Sequence, residues 1–76
     1  MAATWEDVKT TNLNIAKRLR SIRRKQKISQ ERLWLMSGVA LGTIKRFERT
    51  GNISLVSLVK IVNALGRLDE LKELFK

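Results

Sequence analysis

Apolar residues recur along the chain at the three- and four-residue spacing of α-helices, which predicts an all-α protein of five helices without strands. The predicted segments are about 13–26, 30–37, 41–48, 55–65 and a short stretch around 68–75. The apolar arc of the fourth segment is too broad for a surface helix, so we expect this segment to form the centre of the core.

Residues that begin and end helices flank these segments. An Asn or Ser side-chain oxygen can accept a hydrogen bond from a free backbone N–H of a first turn. The predicted caps are Asn12, Ser29 and Ser54. Glycine adopts the left-handed conformation that ends many helices, and Gly38 and Gly66 stand where the second and fourth helices should end.

Residues 1–11 are polar and lack helical periodicity, so we expect a flexible N-terminal arm, with the alternative that Trp5 and Val8 dock onto the core. Residues 12–76 then form a single domain. The whole chain has only 76 residues, a length that allows one modest hydrophobic core.

Positive charge is concentrated in one part of the chain. The sequence contains 16 Lys and Arg against 7 Asp and Glu, a net charge of +9. Residues 9–49 hold twelve of the cations, and their only acidic neighbours are Glu31 and Glu48. Clustered cations of this kind are typical of a protein that binds a polyanion such as nucleic acid.

The absence of two residue types reduces the number of possible functions. The sequence has no Cys and no His, so it lacks thiolate ligands, a cysteine nucleophile and the usual general base. No apolar run approaches the roughly 20 residues that span a bilayer. We therefore expect a cytoplasmic, non-enzymatic binding protein with no cofactor, no metal, no membrane association and no small-molecule ligand.

The segment from Ser29 to Glu48, SQERLWLMSGVALGTIKRFE, predicts two short helices joined by a tight turn. Leu33 and Met36 share a face of the first, and Ile44 and Phe47 share a face of the second. A helix-turn-helix places its second helix in the major groove of DNA while the first crosses the backbone. This pattern predicts sequence-specific binding of double-stranded DNA.

From about residue 15 to 74 the stretches IRRKQKISQERL, SGV, TIKRFER and SLVKIVNALG resemble the lambda-repressor-like, Cro/cI-type (XRE) helix-turn-helix family of transcriptional regulators. The resemblance implies a five-helix domain, with the helix-turn-helix formed by helices 2 and 3, that binds operator half-sites as a homodimer. Two positions depart from the family pattern: Trp34 replaces a small residue where helices 2 and 3 approach closely, and Ala40 cannot cap helix 3.

On helix 3, the resemblance implies a base-reading face of Leu41, Gly42, Lys45 and Arg46. Arg46 can donate two hydrogen bonds from its guanidinium group to one guanine. Leu41 can contact a thymine methyl group, and Gly42 permits close approach of the helix backbone to the DNA. Lys45 is equally suited to contact a base or a DNA phosphate. The alternative for each cation is a solvated position on an exposed helix.

Six further residues are predicted to contact DNA phosphates, some with structural alternatives. They are Gln30, Thr43, Lys25, Lys27, Asn52 and Ser54. Gln30 is assigned through the resemblance. Asn52 and Ser54 lie at a predicted helix N-terminus, which favours an anion, although Ser54 can simply cap that helix. Thr43 can satisfy its own helix, and about half of the helix 1 cations are expected to be a solvated face.

The resemblance also implies two structural contacts. Arg23 and Glu48 match a family pair that bridges helix 1 to the end of helix 3. The dimer contact is expected at the fifth helix, although its apolar residues can instead belong to the core. Those residues are Leu68, Leu71, Leu74 and Phe75.

The prediction is therefore a small dimeric transcriptional repressor that reads a palindromic operator. The alternative is an antitoxin-like subunit that neutralises a partner protein, such as a toxin, and binds DNA secondarily. An RNA-binding protein is less favoured, because single-stranded RNA is held on exposed aromatic side chains, and the chain has only four aromatic residues, of which at least two are expected to be buried.

Overall fold

The computed structural model describes residues 2–76, and within this range all regular elements are helical. The five helices are α1 (Trp5–Lys25), α2 (Gln30–Ser37), α3 (Leu41–Thr50), α4 (Leu55–Ala64) and α5 (Leu68–Lys72). The all-α prediction is confirmed, and the predicted bounds of α2 agree with the structure. None of the helices in residues 2–76 combines the length and the apolar character needed to cross a membrane.

The start of α1 corrects the prediction for the N-terminus. The helix begins at Trp5 rather than near residue 13, so residues 5–11 are helical and Asn12 lies inside the helix. Thr4 is the cap: its hydroxyl accepts the Asp7 backbone N–H at 3.1 Å, and the Asp7 carboxylate accepts the Thr4 backbone N–H at 3.1 Å. This reciprocal pair satisfies two free donors of the first turn. Met1 lies outside the described residues.

Neither apolar residue of this first segment is buried. Trp5 is 73% exposed, and Val8 is also exposed. The alternative that both residues dock onto the core is therefore wrong: Trp5 lines a surface groove beside Arg49 and Thr50 at the end of α3. Of the four aromatic residues only Phe47 is buried, fewer than the two expected from the sequence.

The core lies between α1, the helix-turn-helix and the second half of α4. Its buried apolar cluster comprises Ala16, Leu33, Val39, Ile44, Phe47, Ile61 and Leu65. The expectation for α4 holds only in part, because Ile61 and Val62 are buried while Leu55 and Val56 are exposed. The first turn of α4 lies at the edge of a domain too small to cover both ends of this helix.

The predicted helix ends are confirmed for α2 and α4. Ser29 and Ser54 accept hydrogen bonds from backbone N–H groups three residues later, at 3.0 Å and 3.1 Å. Gly38 and Gly66 have φ values of 75° and 76°, in the left-handed region. Ala40 makes no side-chain cap to α3, because a methyl group cannot accept a hydrogen bond.

Trp34 is accommodated by turning outward. Its side chain is 44% exposed, while the preceding Leu33 is fully buried against the core. Met36, expected on the same face as Leu33, is also exposed. The close approach of α2 and α3 is thus made by Leu33 and the residues around it, without the indole between the helices.

Candidate nucleic-acid interface

A buried ion pair joins α1 to α3. Arg23 is only 7% exposed, and its Nε and Nη2 donate to the two carboxylate oxygens of Glu48 at 2.8 Å and 3.0 Å. Its Nη1 donates to the carbonyl oxygen of Ile28 at 2.6 Å. The paired geometry expected from the sequence is present, and charge-assisted bonds of this bidentate kind fix orientation as well as adding stability.

The same carboxylate also holds the first residue of α2. Gln30 Nε2 donates to Glu48 Oε1 at 3.0 Å. Glu48 therefore connects the C-terminal half of α1, the start of α2 and the second half of α3. One amide hydrogen of Gln30 is used in this contact, which leaves its second amide hydrogen for another acceptor.

The arrangement of α3 separates a buried face from an exposed one. Ile44 and Phe47 point into the core, whereas Gly42, Lys45 and Arg46 are exposed. Leu41 is half-buried at the start of the helix. Within residues 2–76 the salt bridges involve neither Lys45 nor Arg46, so both charges are available to a ligand.

Four of the predicted DNA contacts come together in one groove between α3 and the start of α4. Thr43, Arg46, Asn52 and Ser54 line it, together with Ile53 and Ser57. The Ser54 oxygen accepts the cap hydrogen bond, and its own hydroxyl hydrogen remains free to donate. Capping and phosphate binding, considered as rivals from the sequence, are compatible at this residue.

The end of α3 shapes the wall of this groove. The Thr50 hydroxyl donates to the carbonyl oxygen of Arg46 at 2.7 Å and accepts the Asn52 backbone N–H at 3.1 Å. These two bonds hold the turn that carries Asn52 against α3. The side chain of Asn52 is exposed.

The two predicted phosphate contacts from helix 1 lie elsewhere. Lys25 ends α1 and lines a separate groove on that helix, and Lys27 is exposed in the following turn with a φ of 59°. The structure thus groups Lys25 with the α1 cations rather than with the residues of the α3–α4 groove.

The sequence reasoning missed one residue of the α3–α4 groove and one exposed cation of α3 outside that groove. Ser57 lines the α3–α4 groove three residues after Ser54, a spacing that places both on one helical face. Arg49 is exposed one turn beyond Lys45. The four-residue spacing from Lys45 was the signal that could have identified Arg49.

The residues expected at a dimer contact divide into two pairs. Leu68 and Leu71 are half-buried on α5, whereas Leu74 is exposed and Phe75 is 96% exposed beyond the end of the helix. Arg67, which precedes α5, forms an exposed ion pair with Glu70. The hydrogen bond from Arg67 lowers the pKa of the Glu70 carboxyl from its ordinary value, and the same bond raises the pKa of Arg67.

The chain matches a known protein family. The family model described as helix-turn-helix (HTH_3) matches residues 19–71, well over half of the chain. The match covers α2, α3 and α4 completely. Searches among curated proteins and among solved structures gave no significant match.

Proposed function

Because the chain belongs to the helix-turn-helix family of DNA-binding transcription regulators, we propose that it is a repressor that binds a palindromic operator as a two-fold dimer. The main support is the groove in which Arg46 lies beside Thr43, Asn52 and Ser54. An exposed guanidinium flanked by hydroxyl and amide groups is suited to a site where base edges and phosphates lie side by side.

In this proposal α3 reads bases in the major groove. Arg46 donates to O6 and N7 of a guanine, and Leu41 contacts a thymine methyl group. Gly42 has no atom within 4 Å of an added Cβ, so this part of the helix surface is open to a base edge. Lys45, one position before Arg46, contacts either a base or a phosphate.

The phosphate contacts then flank the recognition helix. Thr43, Asn52 and Ser54 bind one strand from the α3–α4 groove, with Ser54 donating through its free hydroxyl hydrogen. Gln30 uses its second amide hydrogen, at the N-terminus of α2 where the helix dipole favours an anion. Lys25 and Lys27 add charge contacts beside it. These contacts fix position, and only the α3 face carries sequence information.

A dimer is needed because one helix in one major groove selects only a few base pairs. We place its contact at α5 and the following residues, with Leu68, Leu71, Leu74 and Phe75. The exposure of Phe75 supports this choice, since a large exposed apolar side chain close to Leu68 and Leu71 of α5 in the chain is suited to the centre of a small interface. Two copies would present recognition helices about 34 Å apart, one turn of DNA.

A second candidate function is the antitoxin-like one, in which the chain neutralises a partner protein. Three consecutive residues of α2, Trp34, Leu35 and Met36, are all exposed, and Leu35 is 70% exposed. These residues are not among those assigned to DNA or to the dimer. Exposed large apolar side chains that include a tryptophan are suited to a protein contact.

Selection of binding sites from random duplex DNA tests the first function. A palindrome with half-sites about one helical turn apart is the expected result. Recovery of a single half-site would contradict the dimer, and recovery of no preferred sequence would contradict base reading by α3. A replacement of Leu35 by Asn that leaves DNA binding intact but removes binding of a genomic neighbour's product would favour the second function.

A further inference from the structure

α1 carries a shallow cationic groove on its outer surface. The groove is lined by Lys17, Arg20, Ser21, Arg24 and Lys25, and all five side chains are exposed. The spacing from Lys17 through Arg20 to Arg24 places these three cations on one face of the helix. Between residues 10 and 30 the sequence contains no Asp or Glu, so α1 supplies no neutralising charge near the groove.

Helix stability explains only part of this cluster. Arg24 and Lys25 lie in the last turn of α1, where cations interact favourably with the helix dipole. Lys17 and Arg20 lie in the middle of the helix, outside the reach of that effect. Like charges three and four residues apart repel one another. An anion bound in the groove would remove this repulsion.

The nearest acidic group is already engaged. Arg20 Nε lies 3.9 Å from Glu48 Oε1, but Glu48 accepts two hydrogen bonds from Arg23 and one from Gln30. The Arg20 side chain remains about half exposed. Most of the positive charge of the groove is therefore left uncompensated by the protein.

The groove begins beside the N-terminus of α2. The oxygen that lies 3.9 Å from Arg20 Nε is the same oxygen that accepts the hydrogen bond from Gln30. The proposed function places a DNA phosphate at Gln30. Arg20 is the groove cation that approaches Gln30 through this shared oxygen, and Lys17 and Arg24 lie about one turn from Arg20 in opposite directions along α1.

We propose that the α1 groove is a second phosphate-binding surface, which holds the operator backbone outside the bases that α3 reads. Lys17, Arg20 and Arg24 are its phosphate ligands: each guanidinium group can bind two phosphate oxygens at once, and the Lys17 ammonium group acts as a point charge. This inference rests on the proposed function. It adds a contact that carries no sequence information and lengthens the DNA segment that each protomer covers.

A charge-matched pair of variants tests the groove. Lys17→Gln with Arg20→Gln removes two cations that the helix dipole does not explain, and Lys60→Gln with Lys72→Gln removes two exposed cations from α4 and α5. Binding to the selected duplex and to a random duplex is measured by fluorescence anisotropy over a series of salt concentrations. Ethylation interference on the selected duplex then identifies the contacted phosphates.

The groove variant is expected to bind both duplexes more weakly by the same factor. Its slope of log K against log salt should be shallower by about 2, since each phosphate contact contributes about 0.9. Interference should disappear at phosphates that flank the half-site, and the α4–α5 control should resemble the parent. Exchanging the cations, with Lys17→Arg and Arg20→Lys, should preserve the slope.

The inference would be overturned if the groove variant kept the salt slope of a parent protein that itself shows a steep slope and prefers the selected duplex. The proposed function would then still stand. An acidic protein surface would then be the ligand class that remains for the groove. Two other results would also overturn the inference: an equal loss of DNA affinity in the α4–α5 control, or a loss of affinity in the exchanged variant. Either result would show that the loss is not caused by the positive charge of this groove. A parent slope between zero and −1 would overturn the proposed function first, and the inference with it. Thermal melting by circular dichroism verifies that each variant is folded.

Discussion

Gly51 packs directly against the backbone of Asn12. A Cβ atom added to Gly51 would lie 2.6 Å from the Asn12 carbonyl carbon and 2.8 Å from its oxygen. Gly51 also has a φ of 82°, in the left-handed region that favours glycine. The turn after α3 therefore touches the middle of α1, and this contact sets how closely α3 approaches the longest helix of the domain.

Replacing Gly51 with Ala should destabilise the fold strongly. The methyl group meets backbone atoms that cannot rotate away, and the left-handed conformation adds its own strain. We expect the free energy of unfolding to fall by at least about 2 kcal/mol. Urea denaturation followed by circular dichroism measures it. A loss below about 0.5 kcal/mol would show that α1 and the turn can separate without cost.

Gly42, in the first turn of α3, provides the matched glycine. It is helical, and an added Cβ meets no atom within 4 Å. Gly42→Ala should therefore stabilise the protein by about 0.5–1 kcal/mol, through better helix propensity. Binding to the selected operator should nonetheless weaken, because the methyl group enters the space proposed for a base edge. Tighter or unchanged binding by this variant would remove Gly42 from the interface.

Substitutions at Arg23 and Glu48 should lower the free energy of unfolding by amounts that do not add. Arg23→Met alone strands a buried carboxylate, and we expect a loss of about 3–5 kcal/mol. Arg23→Met combined with Glu48→Leu should cost clearly less than the sum of the two single changes. The exposed pair of Arg67 and Glu70 serves as a control, where Arg67→Met should change the unfolding midpoint little.

Arg46→Ala tests base reading. We expect a loss of roughly 1–3 kcal/mol on the selected operator, together with a relaxed preference at one base pair of each half-site. Lys60→Ala removes an exposed cation from α4 and should leave both quantities close to the parent values. Equal losses on operator and random DNA would assign Arg46 to a phosphate instead.

Phe75 gives the cleaner test of the dimer. Leu71 is half-buried, so a polar replacement there also disturbs the monomer, whereas Phe75 is almost fully exposed. Phe75→Asn suits the positive φ of 64° at this position, because Asn tolerates the left-handed region. We expect an unchanged melting temperature and weaker binding to the full palindrome. Sedimentation and anisotropy provide the two measurements, and undiminished binding would place the dimer contact elsewhere.

The positions of α2, α3 and α4 followed from the sequence because local interactions decide them. The caps at Ser29 and Ser54 act on N–H groups three residues away, and the left-handed end at Gly38 depends on glycine itself. The true start of α1 was also a local signal, since Thr4 and Asp7 are three residues apart. The prediction missed it by relying on apolar periodicity, which residues 5–11 lack.

The way these helices pack against one another depends on contacts between residues far apart in the chain. Trp34 turned outward because the space between α2 and α3 is filled by Leu33 and its neighbours. The spacing of apolar residues along one helix cannot predict which side chain fills such a space. The contact of Gly51 with Asn12 joins residues 39 positions apart, and the α3–α4 groove gathers side chains from two helices and the turn between them. Helical spacing and residue type alone were enough to predict which residues share a helix face and where the positive charge is concentrated. Which faces became core, groove or open surface depended on packing between distant segments, because burial is a property of the whole chain.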